Sequence, residues 1–128
     1  MHKVKPVLLV LDDQIQYGRS LNRALRNNYD LMLATTLREA KDKLTPNVIG
    51  ILADVRLDET IPNDRQGLDF VSWARGQRSD LKIISMSALD DEALEAEALN
   101  AGANKFLRKP IVISKLKVLL EEMFNSKS

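Results

Sequence analysis

Three carboxylates in this chain follow directly on short apolar runs. Asp12 and Asp13 close Val7-Leu8-Leu9-Val10-Leu11, and Asp54 closes Val48-Ile49-Gly50-Ile51-Leu52-Ala53. Ser87 follows Leu81-Lys82-Ile83-Ile84-Ser85-Met86, and Lys109 comes just after Lys105-Phe106-Leu107. Gathered at one point, three carboxylates repel one another unless a hard cation compensates them. Mg²⁺ suits such a set, because it takes oxygen ligands and keeps several waters while one or two carboxylates hold it. Zinc suits it poorly, since neither His nor Cys stands at these positions. Asp54, alone on its run, can then act as a nucleophile, and aspartate forms an acyl phosphate on accepting a phosphoryl group. That transfer needs charge neutralised on the phosphoryl oxygens. The cation would supply one positive centre and the compact Lys109 ammonium another. The Ser87 hydroxyl can donate to a phosphoryl oxygen.

Taken singly, each residue has a plainer explanation. An Asp pair after a strand often caps the next helix, a lone Asp can cap a loop, and Ser ahead of an acidic helix start often caps locally. Lys-Pro by itself carries almost no information. The combination is different, because all five residues fall at the ends of apolar runs.

Placing them is the work of the elements between. The apolar runs are short and unbroken, as in strands buried on both faces. Gln14 to Asn28 reads as a helix with Ile15, Leu21, Ala24 and Leu25 near one face and Arg19, Arg23 and Arg26 elsewhere. Leu31-Met32-Leu33-Ala34 is a second strand. Thr36-Leu37-Arg38-Glu39 matches a capping box, and Leu37, Ala40 and Leu44 mark the buried face of a helix that Pro46-Asn47 ends. Arg56 to Gln66, holding Asp58, Glu59, Pro62, Asn63 and Asp64, is a long irregular loop. Gly67 leads into a third helix from Leu68 to Arg75. A fourth opens with Asp90, Asp91 and Glu92, where the helix dipole favours acids, and runs through Ala93, Leu94, Ala98 and Leu99 to Gly102. After the short strand Lys105-Phe106-Leu107, residues Ile113, Leu116, Leu119, Leu120 and Met123 recur at helical spacing. Five alternations of strand and helix predict a doubly wound, mostly parallel α/β sandwich. Sites in such folds lie beyond the carboxyl ends of the strands. Asp12, Asp13, Asp54, Ser87 and Lys109 are therefore expected to converge there.

With 128 residues, 45% hydrophobic and 29% charged, the chain is expected to form one globular domain over residues 1–128. A net charge of +1 and the lack of a basic cluster interleaved with aromatics argue against direct nucleic-acid binding. There is no cysteine, hence no disulfide or thiol chemistry. The run Val7–Leu11 is too short for a signal-peptide core or a membrane span, so no membrane association and a cytoplasmic location are expected.

Over essentially its whole length the chain resembles the receiver domains of two-component response regulators. The residues carrying the resemblance are Val10-Leu11-Asp12-Asp13, Leu52-Ala53-Asp54-Val55-Arg56-Leu57, Gly67-Leu68-Asp69, Met86-Ser87-Ala88 and Gly102-Ala103-Asn104-Lys105-Phe106-Leu107-Arg108-Lys109-Pro110. The resemblance implies a flavodoxin-like (βα)5 three-layer sandwich with a five-stranded parallel sheet in the order 2-1-3-4-5. It implies a signalling switch, not an enzyme acting on external substrates, that accepts a phosphoryl group on Asp54 from a histidine kinase or histidine phosphotransfer protein. Mg²⁺ would be held by Asp12, Asp13, Asp54 and the backbone carbonyl of Arg56, with Asp13 touching it directly and Asp12 through water. Ser87 would be the switch hydroxyl, Phe106 the aromatic that moves with it, and Lys109 the coupling lysine. A downstream protein would then bind the face built from the fourth helix, fifth strand and fifth helix.

The chain departs from the family pattern in places. The loop before Gly67 is longer than usual and carries extra acids, Asp58, Glu59 and Asp64, expected to border the metal site; a tolerated surface insertion is the alternative. Arg56 and Leu89 flank the acceptor, where they could shield an acyl phosphate from water. Phe106 lacks a phenolic hydroxyl. The region of the fourth and fifth helices lacks the charge pattern of winged-helix regulators that dimerise there, so a monomer or weak dimer is expected. Two other functions remain open on the residues alone. One is a phosphorylation-independent interaction module, and the other is a small Mg²⁺-dependent phosphatase using Asp54, although Arg56 stands where that chemistry wants a general acid.

Overall fold

The computed structural model describes residues 4–125. Strands and helices alternate without exception: β1 (Val7–Leu11), α1 (Ile15–Leu25), β2 (Asp30–Ala34), α2 (Leu37–Lys43), β3 (Val48–Asp54), α3 (Gln66–Gln77), β4 (Lys82–Ser87), α4 (Leu94–Ala101), β5 (Lys105–Arg108) and α5 (Ile113–Asn125). All strand pairs are parallel, and the sheet order is β2-β1-β3-β4-β5. The expected doubly wound architecture and strand order are both present. The chain runs outward from β1 to β2 and then crosses back to β3, so β1 and β3 flank the point where the order reverses. The crevice at such a point is the usual ligand position.

Two apolar layers explain why the strand runs are unbroken. On one face Leu9, Leu11, Ile51, Ala53 and Ile83 pack with Ala40, Phe70, Val71, Ala74, Leu94 and Ala98 from α2, α3 and α4. On the other, Leu8, Val10, Leu52, Ile84 and Met86 pack with Leu21 and Leu25 of α1 and Leu116 and Leu120 of α5. Alternate residues of each strand serve opposite layers, and both layers are apolar.

Several boundaries differ from the sequence reading. In α1 the buried positions are Gly18, Leu21 and Leu25, while Ile15 is 38% exposed at the helix start. The capping box at α2 is displaced: Thr36 Oγ1 accepts from Glu39 N at 3.1 Å, but Glu39 returns to Thr35 N at 2.6 Å. Asp90, Asp91 and Glu92 do not form the first turn of α4. Instead Asp91 Oδ1 accepts from Ala93 N, the Asp91 carbonyl accepts from Leu94 N, and the helix begins at the fully buried Leu94. The reason lies on β5, where Arg108 donates to the carbonyls of Leu89 and Asp91 at 2.7 and 3.1 Å. Those contacts hold the segment in an extended turn. Its C-terminal end follows expectation, with Gly102 at φ 121°.

Candidate functional site

The chain leaves β1 through Asp12, whose backbone N–H donates to the Ala34 carbonyl at 3.0 Å. This extends the β1–β2 pairing by one bond and turns the Asp12 side chain inward, where it is only 2% exposed. Its Oδ1 accepts from Gln14 N at 2.9 Å, and its Oδ2 accepts from Lys109 Nζ at 2.5 Å. Asp13 is half-buried beside it. Asp54, at the end of β3, is buried, with Oδ2 3.7 Å from Lys109 Nζ. One oxygen from each of Asp12, Asp13 and Asp54 lies within 4.8 Å of the others. Burial pushes the Asp54 carboxyl up to about 7; Lys109 works against that shift, and Asp12 and Asp13 add to it. Asp13 is also raised, by burial first and then by the charges of Asp12 and Glu59. The three acids form a pocket that could bind a metal ion, with more negative charge than Lys109 alone offsets.

Lys109 arrives from the far side of the sheet. Its backbone N–H donates to the Ser87 carbonyl at 2.9 Å, continuing the β4–β5 pairing, and the peptide bond to Pro110 is cis. The ammonium lies 4.1 Å from the centroid of the Tyr17 ring, a cation–π contact. Tyr17 is half-buried there, and burial followed by the charges of Asp12 and Asp54 pushes its phenol up to about 12. Ser87, 1% exposed, accepts from Leu89 N at 3.0 Å, which leaves its hydroxyl proton free to donate. The local-capping explanation for Ser87 is thus also realised in the fold. Asp54, Ser87, Lys109, Arg56 and Leu89 line one cavity of about 140 Å³ at the sheet edge. Phe106 lies outside this cavity. On β5, it pairs in register with Ser85 of β4 and packs half-buried against the α3–α4 layer, with the Arg108 guanidinium 5.7 Å from its ring.

The long loop between β3 and α3 corrects one expectation. Asp64 does not border the acids. It is 6% exposed and turned into its own loop, accepting from Leu57 N at 2.8 Å, Asp58 N at 2.9 Å and Gln66 N at 3.2 Å. Burial raises its carboxyl, but these backbone donors prevail and hold it below the ordinary range. Asp58 is spent on a local turn, accepting from Thr60 N at 3.0 Å. Glu59 does reach the cavity wall, and Gln14 Nε2 donates to its Oε1 at 2.7 Å. A buried carboxylate with three donors is a structural post, so the extra acids divide by role.

Gly67 closes the loop. Its N–H donates to the Val55 carbonyl at 2.9 Å, and a Cβ built there would fall 1.7 Å from the Asp54 carbonyl oxygen. Only glycine lets α3 start so close to the Asp54 backbone. Gln14 and Tyr17 had no assigned part in the site reading of the sequence. The inward turn of Asp64 and its bond from Leu57 N depend on the loop's tertiary path.

Residues 7–121 match the model of the response regulator receiver domain. Similar proteins include the swarming motility regulation protein RssB of Serratia marcescens, 31% identical over 85% of this chain and 48% of its own length. Response regulator MprA of Mycobacterium tuberculosis is 33% identical over 85% of this chain and 46% of its own. The chain therefore spans about half the length of the curated relatives it matches. Among solved structures, the receiver domain of the Francisella response regulator 1452 superposes with a TM-score of 0.80 at 25% identity, covering 94% of this chain and 98% of that one. A two-component response regulator from Clostridium difficile reaches 0.84 at 19% identity, covering 95% and 98%, a likeness of fold alone.

Proposed function

We propose, on the premise that this chain belongs to the response regulator receiver family, that it is a phosphoacceptor switch whose acceptor is Asp54. Members of the family receive phosphoryl groups from histidine kinases, and the donor here would be such a kinase or a histidine phosphotransfer protein. The observation that carries the reading is the meeting of four strand ends: Asp54, Ser87 and Lys109 line one small cavity, while Asp12 and Asp13 come within 4.8 Å of Asp54 and Asp12 pairs with Lys109. Capping alone would not require them to meet.

The donor set fits Mg²⁺. It is all oxygen, and the charges of Asp12 and Asp13, which add to the burial that pushes the Asp54 carboxyl up to about 7, are ones a divalent cation would relieve. Asp13, Asp54 and the backbone carbonyl of Arg56 would hold it directly. Asp12, whose oxygens are engaged by Gln14 N and Lys109 Nζ, would act through water. Bound there, the ion supplies positive charge to the phosphoryl oxygens. In the transfer, an Asp54 oxygen bonds to phosphorus as the P–N bond of phosphohistidine breaks, and its electron pair returns to the imidazole. Lys109, within 4 Å of both Asp12 and Asp54, meets the charge that arrives. Ser87 donates to a phosphoryl oxygen, and turning toward it weakens the bond from Leu89 N. That loosens the segment ahead of α4, and Phe106 on β5 repacks with it.

The output face would then be α4, β5 and α5, where Leu99 and Val118 are exposed at 44% and 55%. On this reading residues 1–128 are a single receiver domain working in the cytoplasm as a monomer or weak dimer. Among the described residues no helix is long and apolar enough to cross a membrane. Intact-mass measurement after incubation with Mg²⁺ and a small phosphodonor tests the reading. It requires the gain of one phosphoryl group, absent in Asp54→Asn. A folded, Mg²⁺-binding protein that gains none would instead be an interaction module.

A further inference from the structure

The cavity over Asp54 has one wall that the acceptor chemistry does not use. Glu59, from the long β3–α3 loop, and Gln14, from the start of α1, both line it and are joined by the 2.7 Å bond from Gln14 Nε2 to Glu59 Oε1. The two residues are 45 positions apart in the chain, so the bond ties the β3–α3 loop to α1 and is not a local turn. Glu59 is exposed and lies outside the group of three acids that can share an ion. Its loop is nonetheless fixed by Asp64 and Gly67, so the Glu59 carboxylate is held on the cavity wall.

We propose that Glu59, latched to Gln14, is a specificity-determining residue that screens phosphodonors by charge, opposing free anionic phosphate compounds on their way to Asp54. The inference rests on Asp54 being the acceptor and concerns which donors reach it. A phosphoryl group carried on a protein histidine arrives with its carrier's surface, whose donors can take over the Glu59 carboxylate from Gln14. A small free phosphodonor brings only its own charge. Repulsion from Glu59 therefore scales with that charge.

Two donors separate the outcomes at neutral pH and saturating Mg²⁺. Acetyl phosphate, a dianion, loses acetate as its P–O bond breaks and the Asp54–phosphorus bond forms. Phosphoramidate, a monoanion, loses ammonia as its P–N bond breaks. Intact mass followed over time gives both labelling rates for the wild type, Glu59→Gln, Glu59→Lys and Gln14→Ala. Glu59→Gln should label about fivefold faster with acetyl phosphate and about twofold faster with phosphoramidate, because the Coulomb barrier scales with donor charge. Glu59→Lys should exceed both, Gln14→Ala should fall between wild type and Glu59→Gln, and the differences should collapse in about 1 M salt, where screening acts over roughly 3 Å. Equal rates for all four proteins, or an acceleration independent of donor charge and salt, overturn the screen while leaving Asp54 as acceptor. If neither wild type nor Glu59→Gln is labelled on Asp54 by either donor, the acceptor reading falls and the screen with it.

Discussion

Two loops leave this site on neighbouring strands, and they are held in opposite ways. The loop after β3 is organised from within: Asp64 is buried and accepts three backbone N–H groups, and Gly67 docks the start of α3 on the Asp54 carbonyl. The loop after β4 is held from outside. Arg65 pairs with Asp91 at 3.2 Å and Glu97 at 3.3 Å, and Arg108 reaches the carbonyls of Leu89 and Asp91. Half-exposed ion pairs of that kind contribute about 0–1 kcal/mol each. Removing a buried acceptor costs about 1–3 kcal/mol for the donors it strands. Arg65 Nη1 is moreover buried without a partner, which weakens the tether further. The difference assigns mobility. The loop after β3 is costly to disturb, whereas the segment next to Ser87 can shift by breaking weak, separate contacts.

The largest test of this contrast is Gly67→Ala. A methyl group 1.7 Å from backbone oxygen forces α3 away from β3, and the expected loss is about 3 kcal/mol or more in urea unfolding. A stability like that of the wild type would show that the loop after β3 is not rigidly closed. Asp64→Ala should cost about 2 kcal/mol and should speed amide exchange at Leu57, Asp58 and Gln66, leaving Leu89 unaffected.

The pH response sharpens the comparison, because Asp64 and Asp54, both buried, act with opposite sign. Asp64 has a depressed carboxyl, so its contribution is full above the ordinary carboxylate range and is lost as pH falls through its folded value. Asp54 is raised from 3.8 to about 7, so in this window the native state holds a proton that the unfolded chain has released. The stability of metal-free protein should therefore fall as pH rises from about 4 to about 7. Thermal melts in chelator should show that decline, Mg²⁺ should flatten it, and a decline that persists in Asp54→Asn would assign it elsewhere. The smallest effect is expected for Arg65→Gln, about 1 kcal/mol or less, with faster exchange confined to residues 89–94. Equal acceleration in the loop after β3 would remove the distinction between the two loops.

Much of this was legible in pattern. Unbroken apolar runs ending on Asp13, Asp54 and Ser87 located the sheet edge, and parallel order follows from helices intervening every time. The start of α4 was misjudged because acids at a helix dipole are a local signal, while Arg108 is a strand away and overrides it. Ile15 joined the expected apolar face of α1 by periodicity, yet the first turn projects past the sheet edge and leaves it at 38% exposure. The three extra acids of the long loop read alike, since nothing in their spacing tells an inward carboxylate from an outward one.

What the sequence determined by itself was therefore the set of candidate site groups and the edge at which they gather, because strand period, burial on both faces and chain reversal by helices leave few other arrangements. Tertiary structure alone decided which acids share the cavity and which do not. Asp12 is paired with a lysine 97 residues away, Asp64 is taken up by the backbone of its own loop, and Glu59 is bonded by Gln14, 45 residues away. The first and last outcomes depend on distances of 2.5 and 2.7 Å between residues far apart in the chain, and the second on the path of the loop. A carboxylate's role follows from which donor reaches it first, and that is a property of the folded path.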